Sequence, residues 1–145
     1  MNPACSIEIV LWESAAPELL AVRHPVFVLE QGVAAEREVD EFDPVSLHFL
    51  ARDSQGEPIG TARVLPDGRI GRVAVLKPWR RKGVGRALMQ AALSGARDRG
   101  DRRVTLHAQT HSLSFYQSLG FVAFGDEFEE EGIPHRGMIL EWDAD

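Results

Sequence analysis

Apolar and polar residues alternate from the start of the chain. Ile7, Ile9 and Leu11 recur at period two and predict a first strand over 7–11. Ser14 is placed to cap a helix whose first turn holds Pro17 and Glu18, and Leu19, Leu20, Val22, Val26, Phe27 and Leu29 carry it on. Pro25 lacks an N–H and predicts a kink or division of that helix. Residues 31–45 are polar and acidic and read as a loop or a short helix. Leu47 to Arg52 and Pro58 to Leu65 predict two strands around the turn Ser54-Gln55-Gly56-Glu57. Pro66-Asp67-Gly68 is a second turn signal, and Arg69 to Leu76 reads as the next strand, which completes an antiparallel meander.

After Pro78 the period lengthens. Val84, Leu88, Ala91, Ala92 and Gly95 fall on one face of a helix expected from about Gly83 to Arg99, ended by Gly100. Arg103 to Ala108 reads as a strand with Val104, Leu106 and Ala108 on one side. Ser112 to Leu119 reads as a short helix closed by Gly120. Phe121 to Phe124 and Met138 to Trp142 read as the last strands. The series predicts an α/β (α+β) domain with a mixed sheet and helices on its faces. The strands before Gly83 and after Gly100 should be parallel, because a helical crossover joins them.

Composition narrows the function classes. With 145 residues, 44% hydrophobic and 26% charged, the chain is expected to form one ordinary globular domain. One cysteine, Cys5, excludes a disulfide scaffold. No apolar run reaches the ~20 residues needed to span a bilayer. MNPACSIEIV has no basic segment followed by an apolar stretch, so no secretory signal is expected and the cytoplasm is the expected location. A net charge of −6 argues against a general nucleic-acid binder.

The charge is clustered. Five basic residues (Lys77, Arg80, Arg81, Lys82, Arg86) and no acid lie between 77 and 86. Five acids with one base lie between Glu36 and Asp43, and five acids with no base between Asp126 and Glu131. Each run alone reads as a solvated face, but the basic run is interleaved with glycine, and the acidic runs would attract a cation if they border a site.

The segment Val73-Ala74-Val75-Leu76-Lys77-Pro78-Trp79-Arg80-Arg81-Lys82-Gly83-Val84-Gly85-Arg86 runs from a strand through a basic, glycine-bearing turn into a helix. Free N–H groups at a helix N-terminus attract anions, glycine lets an anion approach the backbone, and arginine adds charge-assisted hydrogen bonds. The loop suits a phosphate or pyrophosphate. It lacks the Gly-x-x-x-x-Gly-Lys-Ser/Thr of a Walker loop, and the third glycine position of a dinucleotide fingerprint is Leu88.

What remains is Arg-x-x-Gly-x-Gly, Arg80 to Gly85, which resembles the acyl-CoA pyrophosphate loop of the GNAT superfamily of N-acetyltransferases. Leu106-His107-Ala108 followed by Phe115-Tyr116-Gln117-Ser118-Leu119-Gly120-Phe121 resembles the second half of that fold. Further stretches are similar to its ElaA/YjcF branch: Val26 to Gln31, Asp40, Ile70 to Val75, Ala108-Gln109-Thr110, and Gly132 to His135 with Met138. The resemblance implies a splayed parallel strand pair that holds acetyl-CoA. Val73, Ala74, Val75 and Gln109 would flank it, and Arg80, Arg81, Lys82, Gly83, Val84, Gly85 and Arg86 would hold its pyrophosphate. It implies direct acyl transfer to an amine, and homodimers are common in the superfamily.

Tyr116, the only tyrosine, aligns with the residue that protonates the departing thiolate; the alternative is an aromatic packed over the cofactor. Many members carry a glutamate base near the position of Gly71, so the base is expected elsewhere. His107 on the flanking strand is the candidate, because an imidazole titrates near ~6.5; the alternative is a hydrogen-bonded structural histidine. Glu30, Asp40 and His135 are candidates to bind the amine, with Glu38 beside them. His107 and His111 have no third ligand, so no metal site is expected. The expected acceptor is a cationic amine drawn to the acidic mouth of the cleft. The competing function is a CoA-binding sensor or partner-binding module without catalysis.

Overall fold

A computed structural model describes residues 5–142. β1 (Cys5–Val10) leads into α1 (Trp12–Arg23), a π-helical segment (His24–Glu30), the single turn α2 (Ala35–Glu38) and a 3-10 turn at Asp43–Val45. β2 (Leu47–Asp53), β3 (Pro58–Val64) and β4 (Arg69–Val75) follow, then α3 (Val84–Arg99), β5 (Arg103–Gln109), α4 (Leu113–Ser118), β6 (Val122–Glu130) and β7 (Ile133–Glu141). The strands form one sheet in the order β1-β2-β3-β4-β5-β7-β6. Only β4 and β5 pair in parallel; the other neighbours are antiparallel.

The meander, the parallel pair and the helix after the glycine loop match the periodicity. Three local readings change. First, α1 starts at Trp12, and Ser14 is not its cap. Leu11 is the extended N-cap, and the Ser14 hydroxyl donates to its carbonyl at 3.3 Å from within the first turn. Second, Pro25 divides the helix by widening it, since Gln31 N–H reaches back to Val26 O. Third, β6 and β7 extend well beyond 121–124 and 138–142, so the acidic run at 126–131 lies on a strand and its turn. β6 is an edge strand, where charged side chains can face water.

Alternation in β2 assigns the two faces. Phe49 and Ala51 join the larger core with Leu88, Met89, Ala92 and Ala96 of α3, whereas Leu50 packs against Ala15 and Leu19 of α1. α3 approaches closely: a Cβ on Gly60 of β3 would stand 2.8 Å from Leu88 Cδ1. The α1 face also holds charge. Arg23 and Asp43 are both 0% exposed. Arg23 Nε donates to Glu38 at 2.8 Å, and its Nη1 donates to Asp43 at 2.9 Å. Arg63 Nη1 donates to Asp43 at 2.9 Å and to Asp40 at 2.7 Å, and Arg72 reaches Asp40 at 3.1 Å. Three cations thus meet three carboxylates and pin residues 38–43 onto β3 and β4.

Burial would raise the Asp43 and Asp40 carboxyls, but the bonds and charge of Arg23, Arg63 and Arg72 outweigh it and hold both below the usual range. Burial pushes His48 down, and it stays neutral with its ring on the Asp43 carbonyl at 2.7 Å. All three folded values lie below the unfolded ones, so stability is complete at neutral pH and falls on acidification. The loss should begin below ~6.5 through His48 and continue below ~3.9 through the aspartates. Urea melts should show a midpoint falling in both windows; a midpoint flat down to about pH 4 would contradict the role given to His48. Asp43→Ala leaves Arg23 with Glu38 alone and Arg63 with Asp40 alone, and the loss of the buried charge they share should cost about 3–5 kcal/mol.

Candidate active site

β4 and β5 pair only at Arg69↔Thr105 and Ile70↔Leu106. A bulge in β4 separates them beyond that. Thr61 pairs with Ala74 and Arg63 with Gly71, so Arg72 and Val73 together oppose Ala62. Arg72 takes a φ of 49°, and the Thr61 hydroxyl donates to its carbonyl at 2.9 Å. β5 meanwhile stays paired with β7 as far as Gln109↔His135. Between the parted strands lies a cleft of about 810 Å³, walled also by the π-helical segment, α4 and the β6–β7 hairpin.

At one end stands the basic loop. Arg81 has a φ of 63° and Gly83 a φ of 85°, left-handed conformations that turn successive amides to one side. Among the described residues, the backbone N–H groups of residues 81–86 donate to no protein acceptor. α3 adds its positive end. Such an arrangement of free amides is able to hold an anion. Arg81 and Gly85 line the cleft, while Lys82, Gly83, Val84 and Arg86 lie outside its wall. Lys82 sits over the Trp79 ring at 5.4 Å, and Arg86 donates to Ser118 Oγ at 2.8 Å. The Val84 side chain is buried in the core.

Arg80 is differently employed. Its Nε donates to Val75 O at 2.9 Å, and its two terminal nitrogens grip Glu30 at 2.9 and 2.6 Å. The Glu30 carboxyl is held below its usual range by that hydrogen bond. Glu30 is on the cleft wall, but its carboxylate is committed to Arg80. Gln109 Nε2 donates to Gln31 Oε1 at 3.0 Å.

Val73, Ala74 and Val75 line the middle of the cleft. Leu76 N–H donates to Ile59 O at 3.0 Å, so Leu76 faces β3. By strand alternation Val75 turns its N–H and C=O to the side β5 has left. Tyr116 lines the same space with its ring against Phe115 and Phe121, at centroid distances of 5.0 and 6.1 Å. Burial pushes its phenol up to about 12, and among the described residues its hydroxyl has no hydrogen-bond partner.

The far end holds His107 one residue past the last β4–β5 pair. Its Nδ1 lies 2.8 Å from Glu130 Oε1 and 2.9 Å from Arg69 Nη2. Phe128 meets the ring edge-on at 5.0 Å and stacks on His135 at 5.9 Å. His135 is buried on the cleft wall, with Nδ1 donating to Ile133 O at 2.7 Å and Nε2 3.8 Å from Glu130. Glu130 is the residue the sequence reading passed over. Its signal lay in the hairpin: once β7 continues to Ile133, Glu130 pairs opposite it and stands beside His107.

Asp40 is not on the cleft wall, and its carboxylate is taken up by Arg63 and Arg72. Of the first acidic run, Glu38, Asp40 and Asp43 are matched by Arg23, Arg63 and Arg72. Arg37, from the same loop, pairs with Glu131 of the second acidic run at 2.8 Å.

Residues 23–142 match the family model described as an acetyltransferase (GNAT) domain. The chain is 37% identical over 131 residues to the uncharacterized N-acetyltransferase YjcF of Bacillus subtilis, covering 88% of this chain and 93% of YjcF. It superposes on the crystal structure of Escherichia coli ElaA with a TM-score of 0.83 at 33% identity, over 94% of this chain and 99% of that one. An acyl-CoA N-acyltransferase from Pseudomonas aeruginosa gives a TM-score of 0.81 at 33% identity, over 95% and 99%.

The raised Tyr116 phenol gives a direct optical test, because the chain has one tyrosine. Ultraviolet titration of the folded protein should show almost no tyrosinate up to about pH 11, where an ordinary phenol is mostly ionised. A midpoint near ~10 would place the hydroxyl in water.

Proposed function

The chain belongs to the GNAT acetyltransferase family, and from that premise we propose that it transfers an acetyl group from acetyl-CoA directly to a primary amine of a small molecule or peptide. The observation that carries this reading is the run of unengaged amides at 81–86 opening onto a splayed β4–β5 cleft that holds Tyr116. Proteins of this family use acyl-CoA, and the residues fit one. The amide cradle with Arg81 and Lys82 suits its pyrophosphate, and the free edges of β4 and β5 suit the amides of its arm.

The thioester supplies an activated acyl carbonyl. The amine must first lose a proton, since an ammonium has no lone pair; His107 is assigned as its acceptor. As the amine nitrogen bonds to the carbonyl carbon, negative charge gathers on the oxygen, and the Val75 N–H is turned to meet it. The C–S bond then breaks, and the Tyr116 hydroxyl donates its proton to the sulfur. Burial favours that role, because it keeps the phenol protonated at every physiological pH.

Acetyl-CoA turnover against a panel of amino acids, polyamines, arylalkylamines and short peptides tests the proposal. CoA binding without turnover across the panel would overturn it in favour of a CoA-binding module. Gly85→Val should weaken CoA binding at least tenfold, or about 1.4 kcal/mol. A Cβ there meets nothing closer than 3.8 Å, so the fold is little disturbed and the loss reports the ligand. Gly83→Val should do the same with added backbone strain. Calorimetry showing parental affinity in both would sink the cradle assignment. Tyr116→Phe should lower kcat by roughly 10²- to 10⁴-fold with CoA affinity kept; a change within about threefold would make Tyr116 a packing residue.

A further inference from the structure

Two partners of opposite character approach one nitrogen. Arg69 Nη2, from β4, and Glu130 Oε1, from β6, lie 2.9 and 2.8 Å from Nδ1 of His107. A guanidinium only donates and a carboxylate only accepts. Nδ1 therefore bonds Glu130 when it carries hydrogen, and Arg69 when it does not. In the neutral ring these are the two tautomers. Hydrogen on Nδ1 leaves a lone pair on Nε2; hydrogen on Nε2 leaves none there. Among the described residues Nε2 of His107 has no hydrogen-bond partner, and the ring lines the cleft.

We propose that Glu130 and Arg69 are positioning residues that set the tautomer of His107, Glu130 holding the form whose Nε2 can take a proton from the acceptor and Arg69 the form that cannot. The inference rests on the reading of His107 as the base. The step balances simply. An N–H bond of the ammonium breaks, its electron pair stays on the amine, and the proton joins the Nε2 lone pair. The ring becomes an imidazolium whose Nδ1–H still donates to Glu130, so the carboxylate stabilises the new charge. Arg69 then faces a donor instead of an acceptor and must turn away from it. A place is at hand, because Arg69 Nη2 already lies 3.6 Å from Glu130 Oε1.

One further titratable group faces this set. His135, from β7, has its Nδ1 donating to Ile133 O and its Nε2 3.8 Å from Glu130 Oε2. When protonated it sets a positive charge 3.8 Å from the oxygen that His107 does not use. Phe128, on β6, contributes only a ring face to both histidines. The pair Arg69 and Glu130 is therefore the one that discriminates between the tautomers.

Long-range ¹⁵N–¹H NMR of the imidazole nitrogens reads the tautomer in the full chain without any ligand. Glu130→Ala should move His107 toward the Nε2–H form and Arg69→Ala toward the Nδ1–H form, with His24, His48 and His111 as internal references. The same tautomer balance in the parent and both variants would overturn the proposal. Kinetics adds a readout that a structural role would not move. With the panel amine turned over fastest, Glu130→Ala should lower kcat at least tenfold and shift the acidic limb of kcat/KM to lower pH, leaving KM for acetyl-CoA unchanged. Arg69→Ala should keep kcat or raise it and shift that limb to higher pH. Equal losses in both variants with unmoved limbs would also overturn it. His107→Asn separates the two claims. Parental kinetics and pH profile in that variant refute His107 as the base, whereas opposite tautomer shifts in the other two would still uphold the control of the ring.

Discussion

Arg23 is a full positive charge with no access to water, and the arrangement of the site follows from how that charge is answered. Glu38 and Asp43 must come to it, so the chain between the π-helical segment and β2 cannot float as a surface loop. Asp43 brings Arg63 with it, Arg63 shares Asp40, and Asp40 reaches Arg72, which sits in the β4 bulge. A chain of charges thus runs from α1 to the place where β4 leaves β5. Partial neutralisation would be worse than an apolar core, since a buried ion without a partner costs several kcal/mol. The same matching keeps Asp40 and Asp43 off the cleft wall.

The cleft needs its parted strands held apart without a third strand between them. The end of the π-helical segment does this from one side. Glu30 grips Arg80, which in turn caps the Val75 carbonyl at the end of β4, and Gln31 bonds Gln109 at the end of β5. Two neighbouring residues therefore reach the two diverging strands. Arg80 and Glu30 each stand out in the sequence as candidates, one for the cofactor and one for the amine. Their direct pairing does not, because they stand 50 positions apart and on different elements.

Where periodicity ran over a whole element, the sequence was sufficient. The α3 face and the alternation of β5 are spaced evenly, and glycine or proline marks their ends. The free amides at 81–86 were legible for the same reason: Gly83 and the start of α3 expose them regardless of tertiary contacts. The acceptor end was not. Glu130 reads as one acid in a solvated run, and its nearness to His107 depends on β6 and β7 continuing past Phe124 through a bulge at Gly125. An edge strand tolerates polar residues on its open side, so alternation fades where it was needed. The pairing of Asp40 was hidden differently: a carboxylate bound by the buried Arg63 and the half-buried Arg72 has the same local sequence as one facing a ligand.

The π-helical segment has a consequence for how this chain can tolerate change in length. A π turn carries one residue more than the α turn it replaces, and Phe27, Glu30 and Gln31 owe their aim at the cleft to that surplus. Removing one residue between His24 and Glu30 would let the segment relax to α-helix and lose the wide turn that displaces Phe27 and Glu30 toward the cleft. The Glu30 carboxylate would then swing off Arg80, and the two strand ends would lose their common anchor. Length in this stretch is therefore a catalytic dimension in its own right, one that substitution of single side chains leaves untouched.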